Sequence, residues 1–176
     1  MKKIFFLLIV LAVVGTSCNT HERAIAKLKK NTDTSATAFT ATYYSTSETS
    51  YEDITIENGV LTYVHLRKDF QCPPNYIAQV PCWKESDQVT DKVKLTQNEI
   101  DELKSVVEQA GFMKLNSVIG GAKDMQRFYP YTIKIKMGGM EREVTYQSFP
   151  NATPMPTAFE EVQKKLLAIA AAKKKL

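Results

Sequence analysis

The stretch Tyr131-Thr132-Ile133-Lys134-Ile135-Lys136-Met137-Gly138-Gly139-Met140-Glu141-Arg142-Glu143-Val144-Thr145-Tyr146 decides how this chain folds. Residues alternate between apolar and polar on both sides of a Gly-Gly pair, the pattern of two half-buried strands joined by a two-residue turn. Folding about Gly138-Gly139 sets Met137 opposite Met140, Ile135 opposite Arg142, Ile133 opposite Val144 and Tyr131 opposite Tyr146. The other face pairs Lys136 with Glu141 and Lys134 with Glu143, a ladder of opposite charges. One face is apolar and one solvated, so the sheet is expected to be covered on one side only.

The cover comes from the segments flanking this hairpin. Upstream, Thr96-Gln97-Asn98-Glu99 is a capping box, followed by Ile100, Leu103, Val106, Val107 and Ala110 at helical spacing, with Gly111 as the stop. Downstream, Thr157-Ala158-Phe159-Glu160 repeats the box after Pro156. Phe159, Val162, Leu166 and Ile169 then form an apolar stripe, and Lys173, Lys174 and Lys175 complement the helix dipole.

Further upstream, Asn58-Gly59 marks a first hairpin, with Ile56 opposite Leu61, Ile54 opposite Tyr63 and Glu52 opposite His65. Phe39 to Thr46 alternates aromatic and small polar residues and reads as one more strand. The order β-β-β-α-β-β-α predicts an α+β domain over 39–176: an antiparallel sheet of about five strands with two helices on one face.

The N-terminus reads as an address. Lys2 and Lys3 precede an apolar run from Ile4 to Val14, then Gly15, Thr16, Ser17 and Cys18. A basic start, a short apolar stretch and small residues make a signal peptide over 1–17. The run is only about half the roughly 20 residues that a membrane-spanning helix needs. Val14-Gly15-Thr16-Ser17-Cys18 resembles the lipobox of bacterial lipoproteins, with Gly15 where a bulky aliphatic residue is usual. The resemblance implies lipid on the Cys18 thiol and a stable anchor to a membrane surface. Asn19, where an aspartate would favour inner-membrane retention, implies the outer membrane. Residues 18–38, basic and then rich in Thr, Ser and Ala, would tether the domain.

Charge excludes another class. Taking Lys2 and Lys3 from the formal +4 leaves +2, too little and too mixed to point to nucleic acid. In an exported chain, Cys72 and Cys82 read as a disulfide. A zinc site is the rival, but it needs four ligands, and only His21 and His65 could join the cysteines. No cofactor or metal is expected.

Chemistry is sparse. His65, with Glu52 across the hairpin, is the one conceivable acid–base pair, and it would make a small periplasmic enzyme. The serines of Ser45 to Ser50 lack a Gly-x-Ser-x-Gly elbow. Glu99, Asp101, Glu102 and Glu108 read as a solvated helix face. Gly120-Gly121-Ala122-Lys123 lacks the phosphate-loop spacing.

Binding is better motivated. Phe70 to Trp83 carries Pro73, Pro74, Tyr76, Pro81 and the single tryptophan between and beside the two cysteines. A stapled, proline-stiffened aromatic loop loses little entropy on binding. Arg127 and Tyr129, in the long loop Asn116 to Pro130, join these residues as candidates. The competing reading is that the aromatics fold back onto the sheet.

Ala110-Gly111-Phe112 with Leu115 close behind, a variable loop, Tyr131-Thr132-Ile133-Lys134-Ile135, the Gly-Gly turn, a proline-bearing loop and a final helix resemble the emfourin-like domains. Several small bacterial lipoprotein families share that layout. The emfourin resemblance implies inhibition of thermolysin-type metallopeptidases, but carries no inhibitory residue onto this chain. The leading expectation is a lipid-anchored, non-enzymatic module that binds a protein or other envelope macromolecule. Inhibition of an exported metallopeptidase is the alternative.

Overall fold

Both hairpins form in the register that their turns dictate. Ile54 faces Tyr63 and Ile56 faces Leu61 in one, and Ile133 faces Val144 and Tyr131 faces Tyr146 in the other. The computed structural model describes residues 39–77, 80–123 and 127–174. The leader, Cys18 and the tether read over 1–38 lie outside the described residues, as does Lys175.

The strands are β1 (Thr40–Thr46), β2 (Tyr51–Glu57), β3 (Val60–Leu66), β4 (Gln88–Lys94), β5 (Val118–Ile119), β6 (Tyr129–Met137) and β7 (Met140–Ser148). The helices are α1 (Gln97–Ala110) and α2 (Thr157–Lys173). The domain is α+β, but its sheet is larger than the sequence reading made it. Seven strands lie in the order β4-β3-β2-β1-β6-β7-β5. The short β5 runs parallel to β7, so the sheet is mixed rather than wholly antiparallel.

Two strands escaped the sequence reading for different reasons. Strand β4 reads Gln-Val-Thr-Asp-Lys-Val-Lys, and its charges look like loop. It sits at the edge of the sheet with one neighbour, where charged residues are tolerated and discourage further pairing. Strand β5 has only two residues, too few for alternation to register.

The core fills one face. Ala41, Tyr43, Ile54, Ile56, Leu61, Ile133, Ile135 and Val144 point from the sheet toward Leu103 and Val107 of α1, and Phe159, Val162 and Leu166 of α2. The opposite face carries Thr132 hydrogen-bonded to Thr145 and the Lys/Glu ladder. The ladder's register is as read, but the ion pair runs diagonally, from Lys134 Nζ to Glu141 Oε1 at 2.8 Å. Diagonal neighbours across a twisted ribbon are within reach of long side chains.

The capping box of α1 closes, with Thr96 N donating to Glu99 Oε2 at 2.8 Å and Glu99 N to Thr96 Oγ1 at 3.3 Å. The second box does not form. Pro156 takes the capping position, and its carbonyl accepts from Phe159 N at 2.9 Å and Glu160 N at 3.0 Å. Thr157 is therefore already helical and cannot cap, and Glu160 pairs with Lys164 at 2.6 Å instead. Among the described residues, no helix is long and apolar enough to cross a membrane.

The two helices are also tied by charge. Lys173 reaches Glu99 at 2.8 Å and Lys165 reaches Glu102 at 2.7 Å. The hydrogen bond from Lys173, with help from Thr96, holds the Glu99 carboxyl at about 2, below its ordinary 4.5. Because the folded value is the lower one, the unfolded chain takes up the proton first as pH falls. The contribution of Glu99 is thus complete above about 4.5 and fades toward about 2. Urea unfolding across this window should show a shallower pH dependence for Glu99→Gln. Identical slopes would reject the linkage.

Candidate functional site

The candidate residues gather at one end of the sheet. The tight turns Asn58-Gly59 and Gly138-Gly139 lie at the other end, so the longer connections share this one. Three segments meet there: the turn Ser47–Ser50 between β1 and β2, the connection from β3 to β4, and residues 127–130 entering β6.

Local bonds fix the β3–β4 connection. Cys72 and Cys82 form a disulfide with their Cα atoms 5.5 Å apart, so both thiols are used as the sequence reading expected. Cys82 N donates to Glu48 O at 2.9 Å, which docks the staple onto the β1–β2 turn. Arg67 N donates to Asp87 O at 2.9 Å and gathers the two ends of the connection. Tyr76 N donates to Pro73 O at 3.0 Å, and the Tyr76 hydroxyl donates to Val80 O. Loss of hydration, together with the neighbouring Tyr129 phenol, raises the Tyr76 phenol above its ordinary value.

Trp83 turns inward. Its Nε1 donates to Ser47 O at 3.0 Å, and its ring meets the Tyr51 ring edge-on at 5.0 Å. Tyr51 in turn meets Tyr44 at 5.9 Å. This aromatic row braces the loop and leaves Trp83 half-buried. Pro73 and Pro74 are exposed. So are two residues that sequence reasoning passed over, Ile77 at 72% and Val80 at 64%. A signal for them existed: apolar residues inside so short a covalent loop have no core to enter.

Arg127 and Tyr129 border the same end. Arg127 forms an ion pair with Glu48, whose side chain is only 8% exposed. Beside this pair, Pro81, Phe128, Tyr129 and Pro130 wall a cleft of about 190 Å³. Glu48 was not singled out from sequence because it sits among serines and threonines in a turn, where an exposed carboxylate is the ordinary expectation.

His65 stands opposite Glu52 across the hairpin as read, but the two side chains do not bond to each other. The histidine is buried, with Nδ1 at 2.7 Å from Leu66 O and Nε2 at 3.2 Å from Asp91 Oδ2. Glu52 Oε1 instead accepts from the Tyr63 hydroxyl at 3.3 Å. The correction follows from the unread strand, since β4 places Val89 opposite His65 and Asp91 two residues along, opposite Tyr63. Glu52 and His65 border a shallow cleft of about 220 Å³, yet both ring nitrogens face acceptors of the fold. Among the described residues, no three His, Cys, Asp or Glu side chains converge as metal ligands would.

No protein-family model matches the chain. No curated protein matches it. Among solved structures, it is similar to a "putative adenylate cyclase" from Bacillus halodurans at 13% identity, with 92% of this chain and 89% of that one covered. The TM-score is 0.19, so the likeness carries no argument about fold or activity.

What this end can do is contact. It offers a covalently closed loop with apolar side chains turned to solvent, and beside it a cleft that the buried Glu48 helps to line.

Proposed function

We propose that this chain is a lipid-anchored, non-enzymatic protein of the cell envelope, more specifically of the outer membrane, that binds another macromolecule through the loop end of its sheet. The observation that carries the reading is the exposure of Ile77 and Val80, at 72% and 64%, on a loop closed by Cys72 and Cys82. Exposed apolar groups gathered on one element mark contact surfaces. A loop already held in shape gives up little entropy when it docks. The row Trp83–Tyr51–Tyr44 stiffens its base. The anchor rests on the lipobox resemblance at Cys18, and fatty-acid-analogue labelling that persists in Cys18→Ala would remove it.

Capture from detergent-solubilised envelope tests the loop. Ile77→Asp and Val80→Asp together should weaken recovery of the partner at least about tenfold, as loss of a hot-spot contact does. Undiminished recovery would sink the loop as the contact. The same closed, exposed loop favours a second reading, inhibition of an exported metallopeptidase. Titrating the chain against thermolysin-type enzymes decides it, and full peptidase activity at micromolar chain would exclude that target class.

A further inference from the structure

Another cleft opens at the same end of the sheet, on the face that the helices cover. Tyr131 on β6 stands opposite Tyr146 on β7, and Tyr146 also meets Phe159 of α2 at 6.2 Å. The two tyrosine rings are 6.3 Å apart and tilted by 38°, and they share their wall with Met155. Ser148 and the α2 residues Glu160, Gln163 and Lys164 complete a space of about 480 Å³. That lies within the ~300–1,000 Å³ of small-molecule sites.

The cleft is formed in advance. The Tyr146 hydroxyl donates to Thr153 O at 2.9 Å, which holds the loop that carries Met155. Gln163 Nε2 donates to the hydroxyl of the buried Tyr43 at 3.1 Å, so its Oε1 remains to accept. Among the described residues, the hydroxyls of Tyr131 and Ser148 have no hydrogen-bond partner. Glu160 and Lys164 pair at 2.6 Å and leave the lining without net charge.

We infer that this cleft binds a neutral saccharide, either a free sugar or one unit of a polysaccharide. The lining decides the class by exclusion. An ion of either sign gains little from a wall whose two charges already cancel. A wholly apolar ligand would strand the Tyr131 and Ser148 hydroxyls and the Gln163 carbonyl away from water. A sugar ring presents apolar C–H groups on its faces and hydroxyls around its rim. Its faces suit the Tyr131 ring and Met155, and its rim suits Gln163 Oε1 and two hydroxyls that can each donate or accept. The inference rests on the reading of the chain as an envelope binding module, and it adds a contact apart from Ile77 and Val80.

The test uses isotope-labelled full-length chain in a zwitterionic detergent that carries no sugar. It is titrated with N-acetylglucosamine, glucose and mannose, and with chitotetraose, cellotetraose and mannotetraose. An uncharged peptide (acetyl-tetra-alanine amide), spermidine and tripolyphosphate serve as comparisons. At least one saccharide should shift the amide signals of Tyr131, Ser148 and Gln163 at millimolar concentration, and the comparison compounds should not. A tetramer that binds more tightly than its monomer identifies a polysaccharide as the source, and equal affinity identifies a free sugar. Tyr131→Ala should weaken binding at least about tenfold, as loss of an aromatic contact does. Tyr131→Phe and Ser148→Ala keep the packing and should each weaken it about threefold to tenfold.

No saccharide binding, or equal binding of the peptide or of either ion, would overturn the proposal. Should Tyr131→Ala prove unstable, Tyr131→Phe and Ser148→Ala decide, and unchanged affinity in both overturns it. Capture of the partner keeps the two readings apart. Saccharide shifts that survive Ile77→Asp with Val80→Asp, while recovery stays undiminished, retain the cleft and reject the loop. Recovery lost in that variant, with no saccharide bound by the unaltered chain, retains the loop and rejects the cleft.

Discussion

Phe159→Ala should lower the unfolding free energy by about 3–5 kcal/mol, the range for deleting a fully buried aromatic ring. Phe159 has no exposed surface. Its ring lies 6.2 Å from Phe112, in the turn after α1, and 6.2 Å from Tyr146 on β7. It is therefore the point where the second helix, the end of the first and the sheet meet. Removing it forfeits the transferred apolar area and leaves a space that three separate elements would have to move to fill. Urea denaturation followed by circular dichroism measures the loss. A change below about 1 kcal/mol would mean that this junction is far looser than its packing.

Gly120→Ala should cost about 2–5 kcal/mol, from two causes that add. Gly120 adopts φ +100°, a conformation that L side chains rarely take. A methyl group there would also stand 2.3 Å from the backbone oxygen of Gln147, which is held in position at the end of β7. The neighbour supplies the control. Gly121 has φ +73° but open space around a would-be Cβ, so Gly121→Ala should cost only about 1–2 kcal/mol. Matching losses at both positions would show that backbone conformation alone, and not the close approach, demands glycine at 120.

How much of this was legible follows from where each feature gets its order. Asn58-Gly59 and Gly138-Gly139 impose a register within a few residues, so both hairpins and their opposed pairs could be read directly. Helix α1 was legible because Thr96 and Glu99 satisfy one another locally. Strand β4 owes its existence to β3 alone, and Asp91, Lys92 and Lys94 conceal it. Missing β4 then carried over to His65, whose partner Asp91 comes from that strand. Thr157 misled because a capping box is a local pattern that Pro156 can pre-empt.

The site was half legible. The staple and its neighbours Pro73, Pro74 and Tyr76 stood out by composition, and Arg127 and Tyr129 by the length of their loop. That these segments share one end of the sheet is a property of topology, and no local pattern reports it. Trp83 was the most conspicuous residue, yet it faces the turn at Ser47. The exposed positions went instead to Ile77 and Val80, ordinary residues made unusual by confinement between two cysteines.

The place of β1 has a consequence for how the chain acquires its shape. Although first in sequence within the described fold, it lies between β2 and β6, bonded to a neighbour that follows at once and to one that arrives late. During synthesis the first meander can pair as it emerges, but one border of β1 stays open until the last hairpin is delivered. Such a long closure slows the final step. The half-finished sheet meanwhile presents a naked edge to other chains. An agent that shields that edge, or a truncation before Tyr129, should therefore decide between a folded protein and a sticky intermediate.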